Sequence, residues 1–425
     1  MVASQNSNAV GALPTRWQRS DFFGWVAIQQ GVGRGFVAAK LFACASLLGP
    51  GAMGAVGIAL LLLSVVEPLT DVGIGPAIIQ RAEQLDPLEA GAAFSLLALR
   101  GLALSIALFV LAQPLATLVG DAGSAPLVQV AALLPLLRNI QNLGLLMRSR
   151  ERDFRSLACV DSLASGIDFG LSVTCAALGW GPVSILAGTI AAEVIRTTAS
   201  WTVFRIAQPL NRQFSRITGL INYGKWIWGT QILVILLNNL DKVLVARLLG
   251  TTEFGLYQAA SKIAQYAIFD PIYSLGNYWF ATIARLNDSH RGMARAYVRR
   301  VLRYVCLACS VLAGLLIVAA PWLLSLLGHE WHAAVPVLRI FAVAMSIGAA
   351  IHVLGSYLRG VGQPRRVTQV VAFELLALLI AAPIGAYWLG AIGLALATTL
   401  SLMVACIGLL RAAALWKDSA KGTGG

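Results

Sequence analysis

The stretch LLGPGAMGAVGIALLLLSVV, residues 47–66, runs twenty positions without a charged side chain. A membrane-spanning helix needs about 20 mostly apolar residues. Comparable stretches recur from about residue 22 to residue 415, separated by short polar breaks. The 425-residue chain is 58% apolar and 12% charged, about half the charged fraction of an average soluble domain, so a soluble fold is excluded. The expected fold class is an all-α polytopic membrane protein of about twelve transmembrane helices.

The same stretch opens an internal repeat. LLGPGAMGAVGIA from Leu47 aligns with LLGTTEFGLYQAA from Leu248, matching Leu47, Leu48, Gly49, Gly54 and Ala59 with Leu248, Leu249, Gly250, Gly255 and Ala260 at a constant offset of 201. Arg148 and Arg155 match Arg359 and Arg366 at an offset of 211, as a longer basic loop after span eight requires. The apolar runs place spans over 22–47, 52–80, 88–119, 125–147, 157–179 and 182–204, then 218–241, 253–281, 300–327, 334–358, 367–388 and 390–413. Six spans in each half give both halves the same orientation, a parallel repeat of the kind transporters use to build a cavity between two rocking bundles. The expected domains are a tail over 1–21, a six-helix bundle over 22–204, a basic linker over 205–217, a second bundle over 218–413 and a tail over 414–425.

Basic residues report the orientation. Arg148, Arg150, Arg152 and Arg155 follow span four, Arg205, Arg212 and Arg216 follow span six, and Arg285, Arg291, Arg295, Arg299 and Arg300 follow span eight. Arg359, Arg365 and Arg366 follow span ten, and Arg411, Lys417 and Lys421 close the chain. The opposite loops hold no lysine or arginine, with Arg247 the exception near that face. Both termini are therefore expected in the cytoplasm. The net charge of +13 is scattered over short loops with no folded domain to present it, which argues against a nucleic-acid partner. The first twenty residues lack the apolar core of a signal peptide, so the first span is expected to direct insertion.

Charges inside the spans point to function. Arg34, Lys40, Arg100, Arg138, Arg196, Lys225, Lys242, Lys262 and Arg339 all fall in apolar runs. At about 2.5–3.5 kcal/mol each near a helix centre, nine lipid-facing cations would cost on the order of 20–30 kcal/mol, so most must face protein or water. Lys225, Lys242 and Arg339 sit where they can snorkel, and Arg196 has Glu193 one turn away. Arg34 lies in QQGVGRG and Arg138 opens RNIQN, with Asn139, Gln141 and Asn142 beside it. Such polar runs suit a wet cavity whose cations complement a pyrophosphate and whose amides meet sugar hydroxyls. The candidate substrate residues are Arg34, Lys40, Arg100, Arg138, Asn139, Asn142 and Lys262.

Acids in the spans are Glu67, Asp71, Asp161, Asp168, Glu193, Asp241, Asp270 and Glu374. Glu67 and Asp71 are four apart around Pro68, a spacing that puts both on one helical face. They can hold a proton or a sodium ion, or simply neutralise cavity cations; Asp270 and Glu374 join them as ion-coupling candidates. Asp241 beside Lys242 reads as a structural ion pair or a helix-end anchor. The six cysteines lie in apolar spans and are expected as buried free thiols. No metal is expected: His329-Glu330-Trp331-His332 spaces its histidines three apart, where the HExxH metalloprotease motif needs four. Four histidines and no Gly-Lys-Ser/Thr phosphate loop argue against an enzyme.

In LLGPGAMGAVGIALLLLSVVEPLTDVGIGPAIIQR, LMRSRERDF, NNLDKVLVARLLGTTEFGLYQAASK, LGHEWHAAVPVLRIFA and LRGVGQPRR, in that order, the chain resembles the polysaccharide transport branch of the MOP flippase superfamily. It is most similar to Wzx-type O-antigen and exopolysaccharide translocases of the colanic-acid exporter kind. The resemblance implies two six-helix bundles in a V, alternating access, coupling to an ion gradient with no other cofactor, and undecaprenyl-pyrophosphate-linked oligosaccharide as substrate. It implies a bacterial inner membrane, with a polysaccharide polymerase and a chain-length regulator as partners. Ala281 stands where relatives often carry proline after span eight. The competing reading is a small-molecule antiporter of the same superfamily, whose cavity would favour acidic and aromatic residues over these basic ones.

Overall fold

A computed structural model describes residues 16–71, 73–75, 78, 86–151, 154–211, 213–273, 279, 282–283 and 291–413. Among the described residues every regular element is helical. The helices are α1 (Arg16–Leu69), α2 (Pro87–Val110), α3 (Ala112–Val119), α4 (Ala125–Ala131), α5 (Leu133–Asn139), α6 (Gly144–Glu151), α7 (Phe154–Ala177) and α8 (Val183–Thr202). The second half follows with α9 (Thr218–Leu249), α10 (Thr251–Ala264), α11 (Arg291–Ser325), α12 (Val335–Gly360) and α13 (Pro364–Ala413). Six of these helices are individually long and apolar enough to cross a bilayer.

The count of about twelve spans comes from how the long helices break. Within α1, Gly49 adopts φ 73 and ψ 169 and Pro50 follows it, so spans one and two are separate helices joined without a loop. Within α13, Gly390 (φ 57, ψ −133) divides spans eleven and twelve in the same way. Only glycine enters such regions at low cost, and proline fits the first turn of the next helix, where its missing N–H has no partner to lose. α2 with α3 makes span three, α4 to α6 make span four, and α10 continues through a π turn at Gln265–Phe269 into span eight.

The repeat is visible in the backbone. Gly250, the counterpart of Gly49, has φ 86 and ψ 178 and divides α9 from α10 just as Gly49 divides spans one and two. The matched glycines of the two halves then meet each other. A β-carbon on Gly54 would stand 1.9 Å from the Thr251 carbonyl oxygen, and one on Gly255 2.0 Å from that of Pro50. Spans two and eight thus cross backbone to backbone where their sequences correspond, close to the arginine-poor face.

The loops on that face are exchanged between the halves. Trp331, 1% exposed in the short helix His329–Ala334, donates its indole N–H to the Ala45 carbonyl at 3.2 Å. Reciprocally, Gly120 packs on Ala246 and Arg247, and the Arg247 guanidinium donates to the Thr117 carbonyl at 2.7 Å. Ala45 and Ala246 are themselves matched at the 201 offset. Arg247, the exception to the charge rule, therefore caps the end of α3, where a cation meets the negative end of the helix dipole.

Away from the interface the helices turn apolar surface outward, with Phe109, Leu307, Val318 and Ile384 exposed as a lipid-facing wall requires. Trp180, Trp322, Tyr387 and Trp388 are exposed near the arginine-poor ends, where amphipathic rings sit at a bilayer interface. Arg339 does not simply snorkel. It donates to the Ile317 carbonyl at 3.2 Å, the oxygen four residues before Pro321 that the proline leaves without an N–H.

Several expectations need correction. Span two was expected to run unbroken to residue 80, but its first helix ends at Leu69, just after Pro68, with Asp71 in the turn beyond and the described residues 74–75 and 78 helical again. Span four is not one helix: it breaks after Asn139, inside the polar run RNIQN, and resumes at Gly144. Cys159 and Cys306 are exposed on the helix surface, not buried, because thiols are apolar enough to face lipid. Ala281 and the side chain of Lys225 lie outside the described residues.

Candidate functional site

A cavity of 190 Å³ lies between the halves, walled by spans one, two, six and eight just below the Gly54–Gly255 crossing. Its wall is mostly apolar, with Val37, Leu60 and Ile185 among the lining, and its polar groups are Lys40, Gln258, Lys262 and Tyr266. Glycine at position 57 lets the Gln258 amide in: a β-carbon there would fall 2.1 Å from the Gln258 side-chain oxygen.

The two lysines differ in what surrounds them. Lys40 Nζ is 2.6 Å from the Asp168 carboxylate and donates to Thr189 Oγ1 at 3.0 Å, so its charge is neutralised within the first half. Lys262 donates to Gln265 Oε1 at 3.2 Å and sits 5.9 Å from the Tyr266 ring centroid, but pairs with no carboxylate among the described residues. A relay continues from it. Gln265 Nε2 donates to Asp270 Oδ1 at 3.2 Å, and Asp270 Oδ2 is 3.0 Å from Arg34, which ties span eight to span one across the interface. The π turn at Gln265–Phe269 sits inside this relay, in keeping with the frequent placement of such turns at functional sites.

The remaining candidates form a second cluster within the first half. Arg138 bridges Glu67 at 2.8 Å and Glu193 at 3.1 Å, and Arg196 continues the chain to Glu193 and Asp161 at 3.3 Å each. Arg100 donates to the Glu67 carbonyl at 2.5 Å, to Thr70 Oγ1 at 3.2 Å and to Asn139 Oδ1 at 3.2 Å, with Asp71 at 3.8 Å. It therefore caps the end of span two, and Asn139, buried and anchored to the Pro135 carbonyl at 2.8 Å, orients it. Glu67 and Asp71 do not form the expected pair on one helical face. Each serves a different arginine, and Asp71 also accepts from the Gly73 N–H at 3.0 Å.

Asn142 is 1% exposed and engaged in holding a turn. Its Oδ1 accepts from the N–H groups of Gly144 (2.9 Å) and Ile206 (3.1 Å), and its Nδ2 donates to the Ile206 carbonyl (3.2 Å). That takes it away from the cavity wall. Glu374 is 4% exposed and has no hydrogen bond or ion pair among the described residues, standing apart from both clusters in span eleven. Asp241 accepts from the Tyr257 hydroxyl at 2.9 Å and lies 3.5 Å from Lys242, as a structural pair should.

The structure thus brings Lys40, Lys262, Arg34 and Asp270 to the interface and places Arg100, Arg138, Asn139, Glu67 and Asp71 in the cluster beside spans two to six. Gln258 and Tyr266 were not singled out from sequence, although they fall four residues either side of Lys262 and so share its helical face. That spacing was the available signal.

A family model described as polysaccharide biosynthesis protein matches residues 44–336. The succinoglycan biosynthesis transport protein ExoT of Rhizobium meliloti is 26% identical over 320 residues, 75% of this chain and 64% of that protein. The lipopolysaccharide biosynthesis protein WzxC of Escherichia coli is 22% identical over 377 residues, 88% of this chain and 76% of that protein. Among solved structures, the lipid II flippase MurJ in an inward closed conformation superposes with a TM-score of 0.75 at 12% identity, over 92% of this chain and 87% of that one. An outward-facing multidrug transporter of the MATE family gives 0.63 at 18% identity, over 93% and 96%. At such identities the structural likeness speaks for the fold, that of the MOP superfamily. With a family match over more than half of its residues, this multi-pass membrane chain belongs to the polysaccharide biosynthesis protein family.

Proposed function

We propose that the chain is a flippase that carries undecaprenyl-pyrophosphate-linked oligosaccharide across the bacterial inner membrane by alternating access. Both termini face the cytoplasm, and the bundles 22–204 and 218–413 rock about the linker 205–217. The observation that carries this reading is Lys262, a cation in the cavity between the halves that forms no direct ion pair among the described residues and reaches Asp270 through Gln265. An intramembrane cation is costly alone and is stabilised by an anionic group that visits the cavity. Gln258 supplies an amide for sugar hydroxyls, while Lys40 and Arg34 are balanced by Asp168 and Asp270 and turn to a pyrophosphate only as those pairs open. The same cations disfavour a cationic drug. The relatives' names support the reading, since one is a succinoglycan transport protein and a structural neighbour is a lipid II flippase. At 190 Å³ the cavity is smaller than the roughly 300–1,000 Å³ of sites for drug-sized ligands, so the halves part further to admit a saccharide.

Transport is coupled to a proton or sodium gradient. Glu374 is the leading carboxyl for that role because it has no partner among the described residues, whereas Glu67, Asp71 and Asp270 are each held by an arginine. A polymerase and a chain-length regulator take the product on the far side. The test measures lipid-linked oligosaccharide reaching the periplasmic leaflet in vesicles under an imposed gradient. Lys262→Ala is expected to lower flipping by about ten- to a hundredfold, in line with losing a charged hydrogen bond of roughly 1.5–3 kcal/mol, and Lys262→Arg to retain most of it. Glu374→Gln is expected to flip at a rate that no longer responds to either gradient. Normal flipping by Lys262→Ala at normal abundance would remove the cavity from the reading, and an unchanged gradient response would remove Glu374.

A further inference from the structure

Spans eleven and twelve touch at two places and part between them on the side that faces lipid. Near the arginine-rich face a β-carbon on Gly408 would lie 3.2 Å from the Val370 side chain, and near the other face one on Gly385 would lie 2.4 Å from the Gly393 carbonyl oxygen. Between these contacts runs a groove of 390 Å³ in the outer surface of the bundle. Phe373, Leu376, Ile380 and Ile407 line it and are exposed, while Glu374, Leu375 and Leu378 on the other side of span eleven are buried. The groove is therefore distinct from the central cavity and opens into the bilayer.

Its length and its charge identify an occupant. From Val370 to Ile380 span eleven rises about 15 Å, half of the roughly 30 Å hydrocarbon thickness, so the groove has the depth of one leaflet. At its basic end the one charged lining residue is Arg411, exposed and without a side-chain hydrogen bond or ion pair among the described residues. Exposed Arg365 stands on the same end of span eleven, and Arg366 is already engaged, donating to the Ala412 carbonyl at 2.9 Å. An apolar trough one leaflet deep that ends at a guanidinium with no partner among the described residues matches an acyl chain whose headgroup carries a phosphate and net negative charge.

We infer that this groove binds one anionic phospholipid, with its acyl chain along spans eleven and twelve and its phosphate on Arg411. The leaflet is the cytoplasmic one, given the proposed orientation. A longer isoprenoid tail and a second copy of this chain are the competing occupants, and the leaflet-deep length and the exposed Arg411 favour the phospholipid over both.

Native mass spectrometry of the full-length protein, released from detergent after equilibration with lipid, reads the occupancy. Phosphatidylglycerol is expected to bind in preference to phosphatidylethanolamine with the same acyl chains. Arg411→Gln is expected to cut the preference about fivefold, the equivalent of roughly 1 kcal/mol for a basic residue at a membrane surface. Val404→Trp, which fills the trough and keeps the charge, is expected to lower binding of both lipids. Equal retention of the two lipids by the wild type, or an unchanged preference in Arg411→Gln, would overturn the inference. Displacement of phosphatidylglycerol by equimolar undecaprenyl phosphate would reassign the groove to an isoprenoid, and disulfide dimers of Ile380→Cys in membranes would reassign it to a second copy.

Discussion

Arg34 is bound to Asp270 at 3.0 Å, and that pairing decides what its removal does. The Asp270 side chain is 11% exposed, so Arg34→Ala takes the guanidinium from a nearly buried carboxylate that keeps its hydrogen bond from Gln265. Breaking a fully buried pair costs about 3–5 kcal/mol; with Arg34 about a third exposed the figure falls to roughly 1–3 kcal/mol. Quantitative blotting of membranes is expected to show lowered abundance in Arg34→Ala, and adding Asp270→Asn is expected to restore abundance without restoring flipping. Recovery of both in the double variant would make Arg34 a structural partner alone. Sequence pointed to Arg34 because it interrupts an apolar run, and that much was legible. Its partner was not, since Asp270 lies in the other half of the chain and only the packing of span one on span eight joins them. Asn142 was misread for a related reason: a polar run marks a break in a helix as readily as it marks a wet cavity, and here Asn142 is spent closing the turn.

Among the helices, the divides between spans one and two and between spans seven and eight were legible in the repeated motif that holds Gly49 and Gly250, although span seven runs to Leu249, past its expected end at 241. The end of span two was not, since apolar residues run on past Pro68 while the helix stops at Leu69. The crossing of spans two and eight gives a prediction at this scale. Gly54→Val would push branched carbons into the Thr251 carbonyl, a backbone atom that cannot swing aside. Overpacking of this kind costs about 1–3 kcal/mol, and parting the two helices relieves it. Maleimide labelling of Gln258→Cys from the arginine-poor side is expected to rise severalfold when Gly54→Val is added. Labelling that stays at the level of the single cysteine variant would mean that the crossing does not close that side.

For the whole molecule, reporter fusions after Arg155, Arg216, Arg300 and Arg366 are expected to report cytoplasm, and fusions after Asp121, Pro182 and Glu330 periplasm. One clear inversion would break the twelve-span arrangement. The exchanged loops bear on how such a molecule changes state. Trp331 is carried by the second half and holds the first at Ala45; Gly120 is carried by the first half and rests on the second at Ala246. Both contacts lie on the arginine-poor face, so in the proposed alternating access both must part for that side to open. Two-state opening is the expected outcome, with closed and open molecules populated and half-unfastened ones scarce. For an equilibrium of that kind, moving from one open molecule in a hundred to one closed in a hundred takes about 5.5 kcal/mol of preferential binding. A cargo that grips both halves at once is the kind of ligand that can deliver it, which ties the chance of a leak through an empty carrier to the strength of two small contacts far from the cargo itself.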